Sequence, residues 1–417
     1  MLYYVNKIKE KYANNDFNKL NVLATTSNLF DHFLKNNKKI CLYADMQSGK
    51  SQVMIKSTFL AYKYKKKFKK KFNIKINNVY VIICASSTEL KNDIQNKFMS
   101  GLPNKLKKIY KIFHLDDIQK LLKNSGLNPD LPNSIDLTNL KNTALMNGKK
   151  TQVSALNIIE NMTGNSLVFF DESHAVSEKE QTIDKLKKLI KYYINSQSYF
   201  VHISATNYVC SNENMPNIIL EPGDGYYGIR DIYNKGRLFD SEDLKNPKNV
   251  ESMFDIVLKR HKVNNNTLKK YFLIRVREEK CVDKIFENKW IKYDMHYNDN
   301  INNIIKNEPD KLTFIFVFNK LRMGVSIIKS HIACAYDYYN TNYSHTPVQS
   351  FVGRCCGYGE NDIIIFSDVN EILNHLKWKD NGYKREFLSH NIQNVYKRGN
   401  RSTHERSIFK NDVIINK

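Results

Sequence analysis

Four short segments stand in a fixed order along the chain, and they constrain its fold more than any overall property. They are Ala44-Asp-Met-Gln-Ser-Gly-Lys50-Ser51, Asp171-Glu-Ser-His174, Ser204-Ala-Thr206 and Gln349-Ser-Phe-Val-Gly-Arg354. Ile40-Cys-Leu-Tyr43, an apolar run of strand length, leads straight into the first segment. Val53, Met54, Phe59 and Leu60 then mark a helical face behind it. Strand, glycine-lysine loop and helix form the context in which backbone N–H groups cradle phosphate. In that context Gly49 allows close approach, Lys50 can neutralise phosphate oxygens and Ser51 can ligate a divalent cation. The alternative is a surface turn that happens to end in Gly-Lys-Ser.

Asp171 and Glu172 follow the apolar run Ser166-Leu-Val-Phe-Phe170, which places them at the carboxyl edge of a sheet, where open α/β sheets bind ligands. One carboxylate near a metal and a second orienting water is the arrangement phosphoanhydride hydrolysis needs. A lone Asp-Glu pair would equally well cap a strand, but a phosphate loop lies about 120 residues upstream, room enough for the intervening strands and helices of a nucleotide-binding core.

Further apolar runs predict strands at Val79–Ala85, Phe200–Ile203, Tyr271–Val276, Leu312–Phe318, His331–Tyr336 and Asp362–Phe366. Ser177-Glu-Lys-Glu180 reads as a capping box, with Ile183, Leu186, Ile190 and Tyr193 on the helical face behind it. The expected organisation is α/β throughout. It comprises a polar helical lead-in over 1–38, one parallel-sheet domain over 39–220, a glycine-rich connection over 221–228, a second α/β domain over 229–375 and a basic extension over 376–417. A length of 417 residues suits two domains.

The balance of 65 Lys+Arg against 42 Asp+Glu gives a formal charge of +23, which suits a polyanionic partner. The N-terminus lacks the apolar core of a secretory leader, and the longest apolar run, Val79 to Ala85, is far too short to span a bilayer. An intracellular protein without a membrane role is expected. The seven cysteines include no Cys-x-x-Cys pair, so no structural zinc site is expected. Cys355-Cys356 reads as packing beside the fourth segment, with redox or metal chemistry as the alternative. The run Tyr62–Phe72 mixes lysines with aromatics and reads as a solvated face that contributes to polyanion attraction.

Taken together, the segments resemble the motifs of superfamily 2 DExH-box helicases. Ala44 opens the first motif, Asp171-Glu-Ser-His174 matches the acidic box and Ser204-Ala-Thr206 the third motif. Phe272–Val276 resembles the fourth motif, Lys320-Leu-Arg-Met-Gly324 the fifth and Gln349–Arg354 the sixth. The Gly353-Arg-Cys-Cys-Gly-Tyr358 form, with Leu-Arg-Met-Gly before it, is similar to a subgroup found in phages, large DNA viruses and mobile elements.

The resemblance implies two RecA-like parallel-sheet domains with the nucleotide site in the cleft between them, and ATP with Mg²⁺ as cofactors. Ala44, Gln47, Ser48, Gly49, Lys50, Ser51 and Asp171 would bind the nucleotide, with Ser51 and Asp171 holding the metal. Glu172 would activate water. His174 would link the acidic box to the later motifs, or serve as an ordinary bonded histidine at the sheet edge. Ser204, Thr206 and Gln349 would couple nucleotide state to grip. Ser86, Ser87 and Thr88, with the loops after Val276 and Asp337, would touch nucleic acid, DNA being slightly favoured over RNA.

Departures from the family pattern are informative. Gln47 stands where many members have glycine, and Gly357 where a second arginine is usual. Arg354 is the arginine-finger candidate, and Arg322 would supply the missing charge. For either, the alternative is a structural arginine bonded to backbone carbonyls. The function implied is an ATP-dependent helicase or translocase, in a host cytoplasm or nucleus or packaged in a virion. Replication, transcription or recombination partners are expected. A transcription or restriction-complex factor that hydrolyses ATP without separating strands is the alternative.

Overall fold

Each half of the chain builds its own parallel sheet, because its central strands are continuous apolar runs that need cover on both faces. The computed structural model describes residues 17–72, 74–84, 88–126, 137–173, 198–206, 215–263, 268–276, 290–294, 296–297, 299–318, 321, 326–337 and 346–388. These form two units, one up to Asp224 and one from Gly225. The expected α/β architecture with two parallel-sheet domains is the one observed.

The first unit contains β1 (Lys39–Ala44), β2 (Asn78–Ile83), β3 (Tyr110–His114), β4 (Ser166–Asp171), β5 (Tyr199–Ser204) and β6 (Asn217–Leu220). They form a six-stranded sheet in the order β3-β2-β4-β5-β1-β6, every pairing parallel. β4, near the middle, is buried along its whole length. Tyr80, Ile82, Val168 and Phe170 pack on Leu156 and Ile159 of the helix Lys150–Thr163. Each such side chain, fully buried, is worth about 1.5–3 kcal/mol.

The helix Phe17–Leu34 belongs to this core and is not a polar lead-in. Its Leu29, Phe30 and Phe33 fall on one face and are buried. Phe33 meets Tyr199 at 4.4 Å between ring centroids, and Phe30 stacks on Phe68 at 5.1 Å. Polar residues are interleaved with this apolar face, and two of them, Thr25 and Thr26, are buried with it.

The second unit contains β7 (Tyr226–Tyr227), β8 (Leu238–Asp240), β9 (Tyr271–Val276), β10 (Trp290–Tyr293), β11 (Thr313–Phe318), β12 (Ile332–Tyr336), β13 (Gly357–Tyr358) and β14 (Ile364–Ser367). Six of them form a parallel sheet in the order β10-β11-β9-β12-β14-β8. The helix Pro247–His261 covers one face, setting Val250, Met253 and Val257 against Phe272, Phe314 and Phe316. The expected connection over 221–228 is not wholly a connection. Its Tyr226 and Tyr227 pair antiparallel with Tyr358 and Gly357, inside the second unit.

The expected extension from residue 376 also begins later than its composition suggests. The helix Val369–Asp380 buries Leu376 and Trp378, and Trp378 meets Tyr383 edge-to-face at 4.8 Å. The charged residues of this stretch lie outside that apolar stripe. The predicted capping box and helix over 177–193 lie outside the described residues.

Candidate phosphate site at the first sheet edge

Parallel pairing brings the carboxyl ends of β1, β4 and β5 to one edge. Tyr43 pairs with Ser204, and Asp171 pairs with Ile83 on one side and Ile203 on the other. Ala44 ends β1, buried, and the chain turns at Asp45, whose carbonyl accepts from Ser48 N at 3.2 Å and from Ser48 Oγ at 2.7 Å. Gln47 has φ 59 and Gly49 φ 114. At Gly49 the left-handed backbone argues for the missing Cβ, since space does not: an added Cβ would meet only Val22 Cγ2, at 3.5 Å. The helix Lys50–Lys63 starts at once, so its first N–H groups face the loop.

Glu172 lies one residue beyond β4 with φ 53, a conformation uncommon for a residue with a side chain. Held there, its Oε1 accepts from Lys50 Nζ and its Oε2 from Ser204 Oγ at 3.5 Å. Ser204 Oγ in turn accepts from Thr206 N at 3.0 Å. Three of the four segments therefore meet at one edge of one sheet. Ser48, Asp171, Glu172, Ser204 and Thr206 are all buried, and Ser51 sits in the first turn of its helix, half-buried.

Burial works against charge at Lys50, but Glu172 and then Asp171 more than offset it, so its ammonium titrates above the ordinary range. Burial pushes the Asp171 carboxyl up to about 6, against the pull of Lys50 and with a further push from Glu172. Asp171 Oδ1 is buried and, among the described residues, accepts no hydrogen bond. A desolvated carboxylate oxygen with no donor is an unfavourable group that a bound cation would satisfy.

Among the described residues no three His, Cys, Asp or Glu side chains converge as a metal cage. Mg²⁺ takes one or two protein oxygens and completes its shell with water and substrate phosphate. The Asp171 carboxylate and the Ser51 hydroxyl are donors of that kind, so the residue types fit Mg²⁺ with a phosphate ligand.

The remaining expected site residues sit elsewhere or lie outside the described set. Thr88 opens the helix Thr88–Gly101. Ser86, Ser87, His174 and Arg322 are outside the described residues, as are the loops that follow Val276 and Asp337. Gln349 ends the helix Thr346–Gln349 of the second unit, buried. Arg354, fully buried in that unit, donates from Nη1 to the carbonyls of Gln349 at 2.6 Å and Ser350 at 3.0 Å.

Sequence reasoning passed over the residues that hold this segment. Asp337 accepts from Arg275 Nε at 3.1 Å and from Ser350 Oγ through Oδ1, and from Phe351 N at 3.3 Å and Ser367 Oγ at 3.4 Å through Oδ2. Arg275 Nη2 also donates to Leu321 O at 3.0 Å, and its guanidinium lies 4.9 Å from the centroid of the Phe351 ring. A signal existed: Arg275 interrupts one apolar run and Asp337 ends another, with opposite charges. β9 and β12 are neighbours whose register pairs Ile274 with Tyr336 and so brings these two level. Cys355 and Cys356 are buried thiols in the same segment, and burial pushes Cys355 up to about 12.

Among the described residues no helix is long and apolar enough to cross a membrane. No protein-family model matches the chain. Among solved structures it is similar to S. cerevisiae Dbp5 bound to RNA and ADP BeF3, at 10% identity and a TM-score of 0.47, over 90% of this chain and 95% of that one. It is also similar to the ATP-dependent Type ISP restriction-modification enzyme LlaBIII bound to DNA, at 11% identity and a TM-score of 0.43, over 84% of this chain and 27% of that one. The strand orders above, and not these likenesses, define the fold. With 30% identity over 416 residues, spanning 94% of this chain and 95% of the relative, the chain belongs to the family of the uncharacterized protein L594 of Acanthamoeba polyphaga mimivirus.

Proposed function

We propose that the chain is a viral ATP-driven motor of the DExH-box type that acts on nucleic acid, DNA ahead of RNA. One observation carries the reading: Lys50, Asp171, Glu172 and Ser204 meet at the carboxyl edge of the first sheet, and Asp171 Oδ1 there has no donor among the described residues. When bound, MgATP supplies the scissile phosphoanhydride and a cation that neutralises its charge. Lys50 exchanges its contact with Glu172 for phosphate oxygens, Ser51 and Asp171 hold the metal, and Glu172, released, orients and deprotonates water. Ser204 bridges Glu172 and the backbone of Thr206, so a change at the carboxylate is felt two residues along the chain. The net charge of +23 supports a polyanionic track.

A second reading, an ATPase that assembles or regulates a transcription or restriction complex without separating strands, draws on Arg354. An arginine-finger role requires that guanidinium to leave the carbonyls of Gln349 and Ser350, where it is fully buried. The two readings differ in whether nucleic acid drives turnover. ATP hydrolysis is expected to rise several-fold or more on adding single-stranded DNA, duplex DNA or RNA, and Lys50→Ala is expected to abolish it. Turnover that ignores all three polymers would favour the second reading.

A further inference from the structure

We propose that the short helix Lys65–Phe72 carries a second nucleic-acid contact, one that grips the phosphate backbone through charge alone. It lies away from the phosphate loop. β1 runs towards the loop, and the helix Lys50–Lys63 runs back from it, about 21 Å at 1.5 Å per residue. The short helix therefore sits beside the amino ends of the strands, before β2 begins at Asn78.

From Met46 to Thr88 the chain carries ten lysines and no acidic side chain. The helix itself reads Lys-Lys-Lys-Phe-Lys-Lys-Lys-Phe. Its Phe68 is buried and stacked on Phe30, which fixes the helix on the first unit and turns the opposite face outward. Lys66 and Lys70 lie on that face and Lys65 and Lys69 flank it, all four exposed. Among the described residues none of the four has an ion-pair partner. They form two i,i+4 like-charge pairs, each of which disfavours the helix by about 0.2–0.5 kcal/mol. A folded face that repels itself is relieved by a polyanion.

Two polyanions could do this, and the apolar side decides between them. A membrane-surface helix needs a free apolar face to bury among acyl chains, but Phe68 is already committed to the protein core. What remains is a row of lysines, with Tyr62 exposed just before the helix as a surface for a base to stack on. That combination suits single-stranded nucleic acid. Lysine, a point charge without a fixed fork, implies grip without sequence readout.

The grip needs no turnover, so it is tested without nucleotide. A short poly-dT oligonucleotide is titrated against the full chain over a range of salt concentrations. The variant replaces Lys65, Lys66, Lys69 and Lys70 with Gln, and its counterpart replaces the same four with Arg. The Gln variant is expected to bind on the order of 100-fold more weakly at 0.1 M salt. Its slope of log K against log salt should fall by roughly 2–3, since each single-strand phosphate left unneutralised lowers it by about 0.7. The Arg variant should keep both, and thermal melting should show all three proteins folded. An unchanged slope in the Gln variant overturns the proposal, whether or not the wild type hydrolyses ATP. So does lysine-dependent binding to phosphatidylserine vesicles with no binding to the oligonucleotide. Loss of ATP turnover alone would count against the motor reading and leave this grip standing.

Discussion

Glu172→Gln is expected to leave ATP bound and nearly stop its hydrolysis, with kcat reduced about 10²–10⁴-fold, the range for loss of a positioned general base. The argument rests on the two contacts of this side chain. Through Oε1 it holds Lys50, and through Oε2 it accepts from Ser204. The amide keeps the shape and gives up the charge. Lys50 then has less to hold it back from a phosphate, so nucleotide affinity should stay level or rise while turnover falls. A loss of binding in proportion to turnover would mean that Glu172 only tethers Lys50. The measurements are single-turnover hydrolysis and equilibrium binding of a labelled nucleotide on the same preparation.

Asp337→Ala is expected to cost about 3–5 kcal/mol, the penalty for leaving a buried partner charge uncompensated. Arg275 and Asp337 are each about nine-tenths buried, and the aspartate also accepts from Ser350, Phe351 and Ser367. Against a usual total of about 5–15 kcal/mol, this is roughly a fifth or more of the stability of a domain. Urea unfolding should show the second unit melting early. Because the phosphate loop lies in the first unit, nucleotide binding should persist below that transition. A paired Arg275→Met, Asp337→Leu variant should recover much of the loss, since replacing both charges by packed apolar groups removes the uncompensated one. If Asp337→Ala alone melts like the wild type, the pair is not holding the segment that carries Gln349 and Arg354.

How much of this was legible in the sequence follows from where each strand lies. The strands anticipated from apolar runs, β1, β2, β4, β5, β9, β11, β12 and β14, are interior strands covered on both faces. β3, β6, β8 and β10 gave no such signal, and all four are sheet edges. An edge strand tolerates charge along its open side, as Lys111 in β3 and Lys292 in β10 show, so its sequence lacks the continuous run that marks an interior strand.

The same logic explains the helix Phe17–Leu34, whose buried apolar residues, Val22, Leu23, Leu29, Phe30 and Phe33, are interleaved with polar ones. It also explains the late end of the second unit, where Trp378 and Tyr383 form a small core within a charged stretch. The turn at 45–49 between β1 and its helix, and the acidic pair at the end of β4, were legible because both are short and local. The left-handed backbone at Glu172, which turns its carboxylate back onto Lys50, was not, since nothing in Asp-Glu-Ser-His prescribes it. The Arg275–Asp337 pair left only a faint signal, two opposite charges beside apolar runs, and matching them needs the strand order because they stand 62 apart in sequence.

The central claim is that Lys50 and Asp171 at the edge of the first sheet receive a metal-bound triphosphate. Titrating a labelled ATP analogue with and without Mg²⁺, against wild type, Lys50→Ala and Asp171→Asn, tests it most directly. The account predicts Mg²⁺-dependent binding to the wild type, at least roughly 10-fold weaker binding to Lys50→Ala, and loss of the Mg²⁺ dependence in Asp171→Asn. Equal binding by all three proteins, or wild-type binding that ignores the metal, would contradict it.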